Sequence, residues 1–321
     1  MSAWRTTSRD PGSRAFEADR DPCPVCASGS TAQFCTASDR VLQSAGRKWR
    51  ILRCTGCGCG WTSPRPDPSE IAAYYPATYL GDTRSAVELF LAGKLTAARS
   101  WRDQAEKVVL LEKSVRRGRI LDVGCGDGRF LWGLDPGRWR RTGVEFAAPV
   151  VEIVRSRMPD LDLIAGDIFT ERLPQSSFDV LTMWHVLEHL HDPQAVLRRA
   201  HGLLEAGGWL FISVPNIAGL QALIFRSHWY GFDDVPRHLY HFSPQALRLL
   251  LEGAGFQDLR FRFFSRRVAF HSLKHSARNW CRHRSAGLVL YYCLKPLLRP
   301  FQLLEAITGR YSILTVACRK A

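Results

Sequence analysis

Three glycines at alternating positions follow a short apolar run in this chain of 321 residues. Residues 119–128 read RILDVGCGDG, in which Asp122 lies near the end of the run and Gly124, Gly126 and Gly128 follow it. Glycine lets the backbone turn sharply and come close to a ligand, because no Cβ intrudes. Open α/β sheets hold their ligands at the carboxyl ends of their strands. The pattern therefore predicts a loop that binds a nucleotide-like cofactor.

The spacing of the glycines indicates which cofactor. A dinucleotide fingerprint requires G-x-G-x-x-G, but here the third glycine comes one residue early and Arg129 stands in its expected place. The run instead resembles the first motif of class I S-adenosylmethionine-dependent methyltransferases. That resemblance implies that Gly124, Gly126 and Gly128 cradle the aminoacyl part of S-adenosylmethionine.

The segments that follow support the same resemblance. Residues 142–145 read as a second strand that ends at Glu145, and a carboxylate can accept from both vicinal hydroxyls of a ribose. Residues 161–168 read as a third strand, where the resemblance implies that Asp167 accepts from the adenine amino group and that Ile168 packs on its ring. The remaining strands are predicted at 177–184, 207–216, 259–264 and 312–318. The expected fold class is therefore α/β, a Rossmann-like seven-stranded methyltransferase sheet whose last strand is antiparallel.

The segment after the fourth strand, residues 185–193 (HVLEHLHDP), carries the candidates for catalysis. It should lie beside the transferable methyl group, where an enzyme aligns the nucleophile and a base removes its proton. Glu188 and His189 match the Glu-His pair that sugar C-methyltransferases use near the acceptor. The resemblance makes His189 the base, with Glu188 orienting either the base or the acceptor.

Two other interpretations of this segment stay open. Some class I enzymes that act on small-RNA ends or quinone precursors have E-x-x-E-H here, and a divalent ion could be bound in this chain as well. The candidate ligands are His185, Glu188, His189 and either His238 or His241. Alternatively, Glu188 and His189 are a feature of the fold that caps the next helix. His238 and Tyr240 follow the fifth strand and are secondary site candidates.

Two close pairs of cysteines form the second strong signal. They are Cys23, Cys26, Cys54 and Cys57. Two residues within each pair and 27 between the pairs suit a tetrahedral zinc ion on two knuckles. A four-cysteine site has no open position, so the sequence predicts a structural zinc in a small N-terminal zinc ribbon.

A proline-rich boundary at 63–68 and a tyrosine-rich segment at 70–79 separate the ribbon from the core. This order is similar to that of the sugar C-methyltransferases of deoxysugar pathways, in which a tyrosine from this segment reaches the active site. The resemblance assigns that role to Tyr79, with Tyr75 as the second choice. Residues 86–117 read as helix and are expected to cover the cofactor.

A basic insertion separates the sixth and seventh strands. Residues 266–310 hold seven Arg, two Lys and one Glu, a formal +8 of the net +14 of the chain. Apolar runs beside basic side chains predict a helical hairpin that lies in an anionic membrane surface. Packing on the core of the protein or dimerisation stays open, and nucleic acid is disfavoured because the segment is so apolar. The sequence does not fix the oligomeric state.

Composition bounds the remaining expectations. An apolar content of 46% is ample for a core, and no run of 18 apolar residues predicts a membrane-spanning helix. The first 20 residues are polar and lack the apolar stretch of a secretory signal. The expected location is therefore cytoplasmic, with peripheral attachment to the inner face of the membrane as an option.

The predicted organisation has six parts. They are a disordered tail (1–20), the zinc ribbon (21–65), a linker and helical lid (66–117), the methyltransferase core (118–265), the basic insertion (266–310) and the last strand (311–321). We expect a methyltransferase that acts on a small-molecule or glycan acceptor, namely a sugar that is nucleotide-linked or lipid-linked. The alternatives are an O-methyltransferase of a quinone-like or other apolar small molecule, an RNA-binding methyltransferase and a non-enzymatic scaffold.

Overall fold

The computed structural model describes residues 22–42, 47–75, 99–170, 172–262, 266–281, 289–293, 296 and 298–321. The strands are β1 (Thr31–Ser38), β2 (Lys48–Cys54), β3 (Gly60–Ser63), β4 (Gly118–Val123), β5 (Trp139–Glu145), β6 (Asp162–Ala165), β7 (Phe178–Trp184), β8 (Leu204–Pro215), β9 (Tyr240–His241), β10 (Phe256–Arg262) and β11 (Ile313–Lys320). The helices are α1 (Arg99–Glu112), α2 (Arg129–Trp132), α3 (Ala148–Arg157), α4 (Pro193–Leu203), α5 (Leu220–Phe225), α6 (Pro244–Gly253), α7 (Arg266–Trp280) and α8 (Leu298–Thr308).

The larger sheet has seven strands in the order β10-β11-β8-β7-β4-β5-β6. Strands β6, β5, β4, β7 and β8 run parallel, whereas β11 is antiparallel to both of its neighbours. The predicted Rossmann-like sheet and its antiparallel last strand are confirmed. All parallel strands therefore end at one edge of the sheet, and that edge carries the glycine loop.

Apolar side chains cover both faces of this sheet. Successive residues of a strand point to opposite faces, so Ile120 packs in one buried cluster and Leu121 in the other. The next strand repeats the alternation with Val180 and Leu181. Continuous apolar runs are typical of parallel strands with helices on both faces, which explains why these strands read as apolar throughout.

The smaller sheet joins the N-terminal ribbon to the core. Its order is β1-β2-β3-β9, and β9 comes from the region after the fifth parallel strand. Gly60 pairs with His241 and Trp61 pairs with Tyr240. The predicted ribbon is therefore completed by a strand from the core, which the boundary at residue 65 did not anticipate.

One predicted helical region differs from expectation in extent. Helix α1 ends at Glu112 rather than at 117, and residues 86–98 lie outside the described part of the chain. The predicted tail, 1–20, also lies outside it. Helices α7 and α8 both lie in the 266–310 insertion. Among the described helices none combines the length and hydropathy needed to cross a bilayer.

Candidate functional site

The glycine loop after β4 leaves space where a ligand would lie. A Cβ added at Gly124 would come within 2.5 Å of a Val186 methyl group, so packing inside the protein already requires that glycine. Gly126 has a φ of +53°, and a Cβ added there would meet no atom of the described residues within 4 Å. The open side of the loop at Gly126 is thus shaped for close approach by something other than this chain.

Glu145 at the end of β5 holds this loop. One carboxylate oxygen accepts from the Gly126 N–H and the other from the Ala147 N–H, each at 3.0 Å. A carboxylate offers about four acceptor positions, so Glu145 keeps capacity for the two hydroxyls of a ribose. The predicted residue therefore lies beside the predicted loop.

The end of β6 differs from the detailed expectation. Asp167 is exposed and accepts from the Phe169 N–H at 2.8 Å, but Ile168 is only 2% exposed and packs in the core. The apolar surface available at these strand ends belongs to Phe146, which is 82% exposed, and Phe169, which is 52% exposed. Sequence reasoning missed both, although each follows a predicted acidic residue within two positions.

Asp122 supports the loop from inside the sheet. It is 2% exposed, and the Thr182 hydroxyl donates to its Oδ1 at 2.6 Å. Burial raises the pKa of Asp122 to about 7. The carboxyl group therefore acts on the loop through the β4–β7 pairing and does not line the open side.

His189 lies in a short turn, Leu187–His189, directly after β7. Its ring is partly exposed, and its Nδ1 lies 3.1 Å from the Tyr75 hydroxyl. Burial by the surrounding protein, together with the nearby His238, lowers the pKa of His189 to about 4. The imidazole is therefore neutral at physiological pH and has a lone pair to accept a proton.

Glu188 points into the protein. Its side chain is 0% exposed, and neither carboxylate oxygen has a hydrogen bond of normal geometry among the described residues. The nearest partner is the His185 Nδ1 at 3.3 Å. Burial raises the pKa of Glu188, but His185 and the other histidines outweigh this effect and leave the pKa below its usual value. A buried carboxylate without donors is costly, so this residue requires a partner.

The capping interpretation of this turn is wrong. Helix α4 begins after Asp192, whose Oδ1 accepts from the Ala195 N–H at 2.8 Å. Aspartate is a preferred N-cap residue, because its carboxylate satisfies a free N–H of the first helical turn. Glu188 and His189 are left available for the site.

His238 completes a convergent group with these two residues. Its ring centroid lies 4.6 Å from that of His189, and its Nδ1 lies 3.0 Å from the Gly231 carbonyl oxygen. One ligand atom each from Glu188, His189 and His238 lies within 4.8 Å of the others. His241 is placed elsewhere, with its Nε2 3.3 Å from the Thr62 hydroxyl. The metal alternative therefore narrows to His238 as the distant histidine.

Comparison with known proteins agrees with this geometry. A family model described as a methyltransferase domain matches residues 96–260, just over half of the chain. The chain belongs to this methyltransferase-domain family. The matched region contains the glycine loop, Glu145 and the Glu188–His189 turn.

Among its curated relatives is a ubiquinone biosynthesis O-methyltransferase of Idiomarina loihiensis, 29% identical over 154 residues, which cover 44% of this chain and 62% of the relative. A probable S-adenosylmethionine-dependent methyltransferase of Mycolicibacterium smegmatis is 29% identical over 141 residues, which cover 43% of this chain and 51% of the relative. The matches thus span less than two thirds of these relatives. Among solved structures, the [4+2]-cyclase SpnF superposes with a TM-score of 0.51 at 20% identity, over 80% of this chain and 97% of SpnF. At this identity the likeness supports the fold alone.

Within the described part of the tyrosine-rich segment, the Tyr75 hydroxyl contacts the His189 ring. Tyr79, the first choice from the sequence, lies outside the described residues. Tyr240 is 3% exposed, and its hydroxyl is engaged by Arg65 at 2.5 Å and by the His191 carbonyl at 3.1 Å. Tyr240 therefore packs the ribbon against the core, and it does not face the His189 ring.

A buried arginine fixes the segment that carries Tyr75, and sequence reasoning missed it. Arg237 is 0% exposed and forms two hydrogen bonds with Asp39, at 2.9 and 3.0 Å. It also donates to Asp234 at 2.6 Å and to the Tyr74 carbonyl at 3.2 Å. Paired, hydrogen-bonded charges are those that proteins can bury. The guanidinium thereby joins the ribbon, the tyrosine segment and the His238 turn.

The four predicted cysteines converge at the other end of the ribbon. The sulfurs of Cys23 and Cys57 lie 3.6 Å apart, as do those of Cys26 and Cys54. Their mutual contact lowers the pKa of the Cys23 thiol and raises that of the Cys57 thiol, so the two share one proton more easily than they hold two. The cluster is compatible with the predicted zinc ribbon, whereas Cys59 is not part of it.

Proposed function

We propose that this protein transfers a methyl group from S-adenosylmethionine to a hydroxyl group of a small molecule with an apolar body. The observation that carries the proposal is a partly exposed His189, oriented by Tyr75, at the same sheet edge as the glycine loop. The relatives named for ubiquinone biosynthesis favour a quinone-like acceptor over the sugar or glycan acceptor expected first.

The residues present fit the cofactor. The open side of Gly126 admits an aminoacyl chain, and Glu145 retains acceptor positions for a ribose. We assign the adenine to the strand ends that carry Asp167 and the exposed Phe146. When bound, S-adenosylmethionine supplies an electrophilic methyl group on a sulfonium.

The chain activates the acceptor through His189. In the tautomer with the proton on Nδ1, this nitrogen donates to the Tyr75 oxygen and leaves Nε2 with its lone pair. Nε2 then takes the proton of the acceptor hydroxyl as the oxygen attacks. Tyr75 fixes the ring orientation, and positioning of this kind can contribute several kcal/mol to a displacement reaction.

The test is His189→Asn, assayed with catechols and hydroquinones as acceptors. We expect S-adenosylhomocysteine affinity, measured by calorimetry, to stay within about twofold while turnover falls about a hundredfold or more. His191→Asn is the matched control, because among the described residues the His191 ring has a hydrogen bond only with the Pro66 carbonyl. Full activity of His189→Asn would refute the assignment of the base. Failure of the folded wild type to bind S-adenosylhomocysteine would refute the reaction itself.

The surroundings of Glu188 favour a second candidate mechanism, in which a divalent metal ion activates the acceptor hydroxyl. Among the described residues the buried Glu188 carboxylate has the His185 Nδ1, at 3.3 Å, as its nearest donor, and it converges with His189 and His238. Two imidazoles and a carboxylate suit a divalent transition metal. The His238 Nδ1 beside the Gly231 carbonyl would fix the ring so that Nε2 faces the ion.

Metal counting separates the two routes. Under the metal route, the wild type holds one divalent ion more than His238→Asn, and turnover is lost with that ion and restored by its return. Under the base route, the two proteins have equal metal content, and chelation that spares the cysteine site leaves turnover unchanged. The metal content of Cys57→Ser reports the cysteine site separately.

A further inference from the structure

Helix α8 buries a carboxylate and exposes several large apolar side chains. Its inward face carries Glu305, which is 1% exposed and receives a hydrogen bond from the Ser312 hydroxyl at 3.2 Å. Its outward face carries Leu303, Leu304 and Ile307, which are 62%, 48% and 74% exposed. A surface helix of a globular protein normally turns its apolar face toward the core. The arrangement in α8 indicates that something else covers this face.

The exposed apolar residues form one continuous surface, here called the α8 stripe. It consists of Pro300, Leu303, Leu304 and Ile307. The spacing i, i+3, i+4, i+7 places all four on one side of a helix. Other large apolar side chains of the insertion are exposed as well, namely Val289 (63%), Tyr292 (61%) and Trp280 (51%). Exposed apolar clusters of this kind mark interaction sites.

A positively charged residue lies at each end of the α8 stripe. Arg299 and Arg310 are exposed at its two ends. The single acidic residue of the 266–310 insertion is Glu305, and it faces inward. The outward face therefore combines apolar surface with positive charge, which is complementary to an anionic lipid surface.

The insertion lies at the edge of the sheet that holds the candidate site. Strand β10 enters it from Arg262, which pairs with Thr315, and β11 leaves it at Ile313, which pairs with Pro215 at the carboxyl end of β8. The Asn216 N–H donates to the Ser312 carbonyl at 2.9 Å. The chain therefore leaves and returns to the sheet on the side of the glycine loop and His189.

We propose that the α8 stripe, with Arg299 and Arg310, docks on the surface of an anionic lipid bilayer. A helix of 11 residues is too short to span a bilayer but suits its interface. A second copy is the weaker occupant, because a two-fold contact would set the same positive ends against each other. Nucleic acid is also weaker, because phosphate contacts require no apolar stripe. Docking would bring the site to acceptors dissolved in the bilayer, a consequence that rests on the proposed function.

Vesicle flotation of the full-length protein tests the inference. The probes are vesicles of phosphatidylcholine alone and of phosphatidylcholine with phosphatidylglycerol. We expect binding to the anionic vesicles that weakens with salt. The triple variant L303S/L304S/I307S and the double variant R299E/R310E should each bind about tenfold more weakly or worse. Leu249→Ser is the matched control, because Leu249 is 40% exposed on α6, outside the insertion, and this variant should bind as the wild type does.

Several outcomes would overturn the inference. One is a wild type that ignores anionic vesicles, and another is a triple variant that binds them as well as the wild type. A wild-type dimer that becomes monomeric in the triple variant, measured by light scattering without lipid, would assign the stripe to a second copy. RNA binding that needs the arginines but not the stripe, with no vesicle binding, would assign the surface to nucleic acid. S-adenosylhomocysteine titration of each variant checks its fold and tests the proposed function separately.

Discussion

Replacing Gly126 with alanine should separate the cofactor from the fold. The added Cβ would enter the open side of the loop, where no atom of the described residues lies within 4 Å. None of these residues opposes the methyl group, so we expect the steric penalty to fall on a bound ligand. The backbone cannot move away without cost, because the Gly126 N–H is held by Glu145 at 3.0 Å.

The expected magnitudes differ for stability and for binding. A φ of +53° costs an alanine about 1–2 kcal/mol relative to glycine, which lowers the Tm of a protein of this size by a few degrees. Displacing the aminoacyl chain from the loop should weaken S-adenosylhomocysteine about tenfold to a hundredfold, or about 1.4–2.7 kcal/mol.

Gly309 provides a matched control for this experiment. Gly309 has a φ of +65°, and a Cβ added there would meet no atom of the described residues within 4 Å, as at Gly126. Unlike Gly126, it lies directly after α8, away from the glycine loop. Gly309→Ala and Gly126→Ala should therefore lose similar Tm in thermal melts, while calorimetry shows weaker S-adenosylhomocysteine binding for Gly126→Ala alone. Equal affinities of the two variants would refute the position of the cofactor.

Three further predictions follow from individual side chains. Glu145→Gln should weaken S-adenosylhomocysteine about tenfold in calorimetry, because the new amide NH₂ would face a loop N–H; unchanged affinity would remove Glu145 from the ribose. Cys57→Ser should lose about one zinc equivalent by elemental analysis and lower the Tm, whereas Cys59→Ser should keep the metal; equal zinc in both variants would contradict the four-cysteine site. Burial raises the pKa of Glu305 to about 7, above that of an exposed glutamate, so the folded state binds more protons than the unfolded state between these two values. Stability therefore falls as pH rises through that window. Glu305→Gln should therefore raise the Tm relative to the wild type more at pH 8 than at pH 5, and the opposite order would contradict the buried carboxyl.

The contiguous parts of the site could be predicted from the sequence. The glycine loop, Glu145 and the Glu188–His189 turn each lie at the end of a strand, and parallel strands bring their carboxyl ends to one edge. Local chemistry and topology therefore suffice to place these residues near one another.

Contacts between distant segments could not be predicted in the same way. Tyr75 and His189 are 114 residues apart, and Asp39 and Arg237 are 198 apart. Nothing in a single sequence states which aspartate meets a given arginine, and a charged side chain is by default expected at the surface. The preference for Tyr79 over Tyr75 likewise rests on resemblance alone, because the sequence does not show which tyrosine contacts His189.

The faces of α8 illustrate the same limit. The sequence shows apolar and basic residues side by side, but either face of the helix could turn inward. The structure places Glu305 against Ser312, and this one buried contact turns the leucines outward. Tertiary contacts decide which face of a short helix turns inward, because the intrinsic stability of such a helix is too low to decide it.

Hydrogen bonds connect the ribbon directly to the candidate site. The Thr62 N–H of β3 donates to the Leu239 carbonyl at 3.1 Å, and the Leu239 N–H donates to the Glu188 carbonyl at 2.8 Å. The Thr62 hydroxyl also donates to the His238 carbonyl at 2.6 Å. One residue of backbone thus separates the ribbon sheet from the Glu188–His189 turn. A closed four-cysteine zinc site has no open position for chemistry, so we propose that the ribbon acts by fixing Glu188 and His238 relative to His189.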